Sequence, residues 1–156
     1  MAKKESGDKI LNGIVKDLFK MIGIKSKVEI VEDAENNSAN LNIEAGDEAG
    51  LLIGNRGRTL NSLQTIIGIL YKQRTGEWKR IVLDVGGWRD KENDRLTEIA
   101  VSTAERAKQT GDSQTLYNLS PAQRRIVHVV LADDNEVVTE SFGEGKDRYM
   151  VINPKK

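Results

Sequence analysis

Apolar side chains recur every three or four residues over the first part of the chain, which predicts an amphipathic helix from about residue 8 to 22. Gly23 is a fitting stop signal for this helix. Two stretches of alternating apolar and polar residues, 28–33 and 40–45, predict strands, and the polar segment 34–38 between them is typical of a hairpin loop. The apolar stripe of the helix consists of Ile10, Leu11, Ile14, Val15, Leu18, Phe19 and Ile22.

A longer helix is predicted to begin at Gly57 and to run to about Arg74, because a second apolar stripe runs along it. A short apolar run that ends at Gly54 predicts a short helix before it. A turn at 75–77 leads into an alternating strand at 80–85. The first half of the chain is therefore predicted to have the order α-β-β-α-α-β. The stripe of the long helix consists of Leu60, Leu63, Ile66, Ile67 and Leu70.

The glycine pair at 86–87 is the clearest boundary, so we expect an α+β chain of two small domains, 1–87 and 88–156. The second domain is predicted to have the order α-β-α-β-β. Ser120 is a favourable N-cap and Pro121 a favourable first helical residue, so together they predict where the second of its helices begins. The predicted elements lie at about 88–109, 116–119, 122–131, 137–142 and 148–152.

A loop bounded by two glycines, Gly54-Asn55-Arg56-Gly57, joins the short helix to the long one, and Arg58 follows it. Glycine tolerates the positive φ of a helix C-cap, and the lack of Cβ atoms lets a phosphate approach the unpaired first amides of the long helix. The five residues are therefore predicted to bind a nucleic-acid backbone. An ordinary turn and a helix-turn-helix are the alternatives. A nucleotide P-loop is disfavoured, because that motif needs Gly-Lys-Ser/Thr after its spacer.

A second candidate site lies on the helix that follows Ser120-Pro121. Arg124 and His128 are four residues apart and therefore project from one helical face. Arg124, with Arg125 beside it, offers forked donors to a phosphate, and His128 can donate to phosphate or stack on a base. The alternative is that His128 only forms a hydrogen bond within the fold. The hairpin residues that complete the predicted patch are Ser141, Lys146 and Arg148.

The 156 residues include 24 basic and 24 acidic side chains, so the total charge does not point to nucleic acid. Basic residues nevertheless dominate the segment 54–80, which predicts a local, salt-sensitive patch. Without cysteine and with one histidine, the chain cannot form disulfides, thiolate zinc sites or multi-histidine sites, and we expect neither metal nor cofactor. No apolar run suits a membrane span or a signal core, so we expect a cytoplasmic protein without membrane insertion. The basic residues of the segment are Arg56, Arg58, Lys72, Arg74, Lys79 and Arg80, against the acidic Glu77.

The order of elements in residues 8–86, with the glycine loop between two helices, resembles a type II KH domain. The segment from Leu119 to His128, with residues 139–143 and Arg148, resembles the single-strand-binding domain named after its Arg-xxx-His motif, the R-three-H domain. A KH domain followed directly by that domain resembles the bacterial Jag family, also called KhpB, of SpoIIIJ-associated RNA-binding proteins. Many members carry an additional N-terminal Jag domain, for which we expect no counterpart here.

The resemblance implies binding of single-stranded RNA, or of single-stranded DNA, without catalysis. It also implies a regulatory or chaperone role linked to cell elongation and division, and pairing with a small single-KH protein. KH domains hold bases in an apolar groove, and Ile43, Ile53 and Leu60 are the groove candidates by position. Two other functions stay open: an adaptor whose charged helix 88–109 docks a protein or the ribosome, and a ribonuclease that uses His128 as acid or base.

Overall fold

The computed structural model describes residues 7–155, which form two compact units; the first ends at Arg89 and the second begins at Asp90. The mixed helix and strand content confirms the α+β prediction. No helix within residues 7–155 combines the length and apolarity needed to cross a membrane. The helices are α1 (Gly7–Met21), α2 (Ala49–Ile53), α3 (Arg58–Thr75), α4 (Trp88–Thr110) and α5 (Pro121–Leu131). The strands are β1 (Lys27–Asp33), β2 (Ser38–Glu44), β3 (Arg80–Val85), β4 (Gln114–Leu116), β5 (Val137–Phe142) and β6 (Tyr149–Pro154).

The sheet of the first unit has the strand order β1-β2-β3. The β1–β2 pair is an antiparallel hairpin, whereas β2 and β3 are parallel, so the chain must cross over between them through α2 and α3. Alternate residues of β2, namely Ala39, Leu41 and Ile43, are buried in a core that also contains Leu11 of α1 and Ile67 of α3. The predicted order α-β-β-α-α-β is confirmed.

The sheet of the second unit has the order β4-β6-β5, and both pairs are antiparallel. The predicted order α-β-α-β-β is confirmed, although β4 lies earlier than the predicted strand at 116–119. The chain leaves the sheet after Leu116 because Asn118 adopts a left-handed conformation, with φ 58°, that a strand cannot contain. The core between the helices and this sheet consists of Ala100, Ala104, Ala107, Val127, Leu131, Val137, Met150 and Ile152.

The first two residues of α4 belong to the first unit. Trp88 packs against its core. The backbone amide of Arg89 donates to Asp84 Oδ1 at 3.1 Å, and its guanidinium donates to the Leu83 carbonyl at 2.7 Å and to Gln64 Oε1 at 2.9 Å. The division between Arg89 and Asp90 therefore lies two residues beyond the glycine pair from which the boundary after residue 87 was predicted.

Candidate nucleic-acid interface

The glycine loop lies between the end of α2 and the start of α3. Gly54 ends α2, and its amide donates to the Gly50 carbonyl at 2.9 Å. Its φ of 68° and ψ of −171° fall in a region that is essentially restricted to glycine. Residues 55–57 form a single tight turn, and Gly57 adopts a left-handed conformation immediately before α3. The positive φ predicted for Gly54 is confirmed, and Gly57 needs the same freedom.

Close packing around the loop leaves no room for side chains at either glycine. A Cβ atom at Gly54 would lie 2.7 Å from the Cβ of Thr59, and one at Gly57 would lie 2.7 Å from Cζ3 of Trp88. Both distances are far below van der Waals contact. The half-buried Trp88 indole therefore supports the loop from the start of α4, a role for which the sequence carries no local signal.

The polar residues of the loop face solvent. Asn55, Arg56 and Arg58 are exposed, whereas Gly57 is buried. Arg56 adopts a left-handed conformation, with φ 53° and ψ 37°, at the tip of the turn. No described side chain caps α3, although the Arg58 amide donates to the Asn55 carbonyl. The positive end of the helix dipole lies beside these exposed groups. The arrangement suits an anion that approaches the loop from solvent.

The three groove candidates differ in burial, and the assignment of two of them to the groove is wrong. Ile43 is 1% exposed on the inner face of β2, and Leu60 is 0% exposed on the inner face of α3, so both are core residues. Strand alternation and helical periodicity turn these side chains away from solvent. Ile53 is half-buried and stays a candidate. Leu51, which is 68% exposed on α2, is an apolar residue near the loop that the sequence analysis missed.

The start of α5 is fixed by the predicted cap. Ser120 Oγ accepts a hydrogen bond from the Gln123 amide at 3.2 Å, and Gln123 Oε1 accepts one from the Ser120 amide at 2.8 Å. The Gln123 side chain also donates to Glu92 Oε1 at 2.6 Å, which ties α5 to α4. This capping box confirms the predicted helix start and sets the direction in which Arg124 and His128 project.

Arg124 and His128 each form one hydrogen bond within the second unit. Arg124 Nη1 donates to the Leu119 carbonyl at 2.8 Å, and no described residue takes up its other guanidinium donors. Nδ1 of His128 lies 2.6 Å from Thr139 Oγ1, while the side chain as a whole is exposed. The structural role considered for His128 is therefore present, and it leaves the ring accessible from solvent.

The remaining cations of the predicted patch are all solvent-exposed: Arg125 lies on α5, Lys146 in the turn between β5 and β6, and Arg148 directly before β6. Within residues 7–155, none of the three forms an ion pair. Ser141 is half-buried on β5. Gly143 holds the hairpin in a tight turn, because a Cβ atom there would lie 3.0 Å from the Asp147 carbonyl oxygen.

Lys108, by contrast, is engaged within the second unit. Its ammonium lies 2.8 Å from Asp134, 3.1 Å from Glu105 and 3.4 Å from Glu136. The hydrogen bond to Asp134, followed by that to Glu105, raises the pKa of Lys108, and the same bond from Lys108 lowers the pKa of Asp134. This cluster joins α4 to the segment after α5 and leaves little charge for a ligand.

Two protein-family models match the chain. The model of the KhpA/KhpB KH domain matches residues 12–85, and the model of the R-three-H domain matches residues 94–154. These segments contain the glycine loop and the Arg124–His128 pair, respectively. The chain therefore contains both domains that its motifs resemble, in the order expected.

Similar curated proteins are longer than this chain. It is 30% identical to RNA-binding protein KhpB of Clostridium symbiosum over 142 residues, which are 91% of this chain and 64% of that protein. It is 33% identical to RNA-binding protein KhpB of Bacillus subtilis over 113 residues, which are 71% of this chain and 54% of that protein. The chain thus spans between about half and two thirds of these relatives. Together with the two domain matches, these similarities show that the chain belongs to the KhpB family, also called the Jag family.

Proposed function

We propose that this chain is a cytoplasmic, non-catalytic protein that binds single-stranded RNA through the glycine loop and the Arg124 face. The observation that carries the proposal is the loop, in which both glycines are closed to side chains while Asn55 and Arg56 are exposed. The tight turn sets these two polar side chains beside the start of α3, where the helix dipole favours an anion such as a phosphate. The two relatives are RNA-binding proteins by name, which supports the same function for this chain.

Each unit has a distinct role in the proposed mechanism. In the first unit, Asn55, Arg56 and Arg58 hold the strand backbone and Ile53 contributes to the base groove. In the second unit, Arg124 binds a phosphate in a bidentate manner, through the guanidinium N–H groups that do not donate to the Leu119 carbonyl. His128 is an accessory contact. The exposed Arg125, Lys146 and Arg148 add charge around them.

A regulatory role in cell elongation and division, with a small single-KH protein as partner, is the physiological setting that the resemblance implies. An adaptor that docks a protein or the ribosome through α4 is the second candidate for the second unit. A ribonuclease is disfavoured, because the chain has one histidine and therefore no second histidine to share the acid and base roles with His128. Purified protein should therefore leave the RNA intact during a binding assay.

The test replaces Asn55 and Arg56 with Asp in the full chain. Both side chains are exposed, and Asp tolerates the left-handed conformation of position 56, so folding should be preserved. The matched control is Lys27→Asp with Asn42→Asp, which makes the same charge change on the outward face of the first sheet. Fluorescence anisotropy with a single-stranded RNA measures affinity, and circular dichroism checks the fold.

We expect the loop variant to lose at least tenfold in affinity and the sheet control to lose little. Binding by the parent should weaken as salt rises, with a slope of about −0.7 per phosphate contact, and should be weaker for a duplex. Equal losses in the loop variant and the control would indicate a nonspecific effect of charge. Unchanged affinity in the loop variant would show that the loop is only a turn.

A further inference from the structure

Three aromatic side chains, Tyr117, Phe142 and Tyr149, form a row across one end of the second sheet. Phe142 pairs with Tyr149 between β5 and β6, and Tyr117 directly follows Leu116, which pairs with Met150. Ring centroids are 5.6 Å apart for Tyr117 and Tyr149 and 6.0 Å apart for Tyr149 and Phe142, with the planes tilted by 40° and 32°. We refer to these three residues as the aromatic row.

The aromatic row lies on the sheet face that α4 and α5 leave open. Successive side chains of a strand point to opposite faces, so Tyr149 points away from the core that contains Met150. Tyr117 is 65% exposed and Phe142 is 44% exposed, and Tyr149 is half-buried between them. Core packing does not explain two exposed rings on either side of a half-buried one. A contiguous apolar patch of this kind is typical of a binding surface.

Charged groups of both signs lie at the same end of the sheet as the aromatic row. Arg148 directly precedes β6, Lys146 lies in the turn between β5 and β6, and both are exposed without an ion pair in residues 7–155. The same turn contains Glu144 and Asp147, and Glu140 lies on the open face of β5. Because three acidic side chains accompany the two basic ones, a single strand should gain more from the rings than from the local charges.

We propose that the aromatic row is a stacking platform for unpaired bases of a single-stranded nucleic acid. This inference rests on the proposed function and assigns base contacts to the second unit, where Arg124 would hold the backbone. Leu119, whose carbonyl accepts the hydrogen bond from Arg124, lies two residues after Tyr117, so the two sites are close along the chain. Every base has a flat face that stacks on an aromatic ring, so the platform tolerates different sequences, and a duplex hides those faces.

The test uses the full chain with Tyr117→Ala, Phe142→Ala and both changes together. Tyr117→Phe keeps a ring and serves as the conservative variant. Val101→Ala is the matched control, because Val101 is an apolar residue on α4 that is 48% exposed. The probes are a single-stranded RNA of about twelve nucleotides and a strand of the same length that lacks bases. Affinity is measured over a salt series, and circular dichroism checks folding.

We expect Tyr117→Ala to weaken binding of the RNA roughly fivefold or more, Phe142→Ala to act in the same direction, and Tyr117→Phe and Val101→Ala to bind like the parent. The salt slope should be unchanged, because stacking releases no counterions. Binding of the base-free strand should be the same for all variants. Loss of binding to the base-free strand, or a changed salt slope, would overturn the inference.

The failure of this inference can be distinguished from failure of the proposed function. If the parent does not bind single-stranded RNA, the proposed function fails and the inference fails with it. If the parent binds and the loop variant does not, but both alanine variants bind like the parent, only the aromatic row is refuted. If those variants instead lose self-association measured by sedimentation while RNA binding is unchanged, the row is a protein interface and the inference is likewise wrong.

Discussion

Adding one methyl group at Gly57 tests how the glycine loop is built. Gly57 has φ 76° and ψ 13°, a left-handed conformation in which a Cβ atom costs about 1–2 kcal/mol. The same Cβ would press on the Trp88 indole at 2.7 Å from Cζ3. Overpacking of this kind typically costs a further 1–3 kcal/mol. We therefore expect Gly57→Ala to lower the free energy of unfolding of the first unit by about 2–5 kcal/mol.

Gly76 provides a matched control at the other end of the same helix. Its φ of 77° and ψ of −7° are nearly those of Gly57, and a Cβ atom there would meet nothing within 4 Å. Gly76→Ala should therefore show the backbone cost alone, about 1–2 kcal/mol. The difference between the two variants measures the contact with Trp88.

Urea titration followed by tryptophan fluorescence suits this comparison. The chain has two tryptophans, Trp78 and Trp88, and both belong to the first unit, so the signal reports the unfolding of that unit. The comparison is then repeated with Trp88→Ala, where Trp78 still supplies the signal. In that background Gly57→Ala and Gly76→Ala should cost the same.

Two outcomes would refute this account of the loop. If Gly57→Ala and Gly76→Ala destabilise the parent equally, the indole does not restrict position 57. If the excess cost of Gly57→Ala persists after Trp88→Ala, another neighbour causes it.

Two further predictions concern the second unit. Arg124→Ala should weaken binding to all single-stranded RNA sequences and reduce the salt slope by about 0.7, whereas His128→Ala should cause a smaller loss of affinity. Fluorescence anisotropy over a salt series measures the affinity and the slope. An unchanged slope would mean that Arg124 only forms its hydrogen bond to Leu119 and does not contact phosphate. Asp134→Asn should destabilise the unit at pH 7, because the hydrogen bond from Lys108 lowers the pKa of Asp134 in the folded state. The stability that this bond contributes is fully present above the ordinary pKa of 3.8, and it is lost as the pH falls through the lower pKa of the folded state. Thermal unfolding at pH 7 and at successively lower pH should show the gap between parent and variant closing in acid, and a constant gap would contradict the assignment.

Sequence signals between residues that are close along the chain were sufficient to predict most helices and strands. Ser120 and Pro121 predicted the start of α5, and the capping box with Gln123 is present there. Such a cap depends only on residues within the same helical turn. Gly54 likewise adopts the positive φ expected where α2 ends, because no other residue tolerates that conformation as readily.

The site was predicted less completely than the fold. Ile43 and Leu60 were assigned to a groove by position, yet both lie in the core, because burial depends on which face of the strand and helix the rest of the unit covers. The strand expected at 116–119 ends at Leu116, and the turn at Asn118 leaves Tyr117 exposed at the end of the sheet. Alternation alone does not indicate where a strand leaves its partner.

Local patterns in the chain were enough to predict the order of helices and strands, the glycine loop and the spacing of Arg124 and His128, because each depends on neighbouring residues and on helical or strand periodicity. Two contacts emerge from the folded chain alone: Trp88 leaves no room for a side chain at position 57, and Tyr117 lies beside Tyr149. These pairs come from distant parts of the chain. Their contacts follow from how helices pack and how strands pair, which local patterns of apolar and polar residues do not specify.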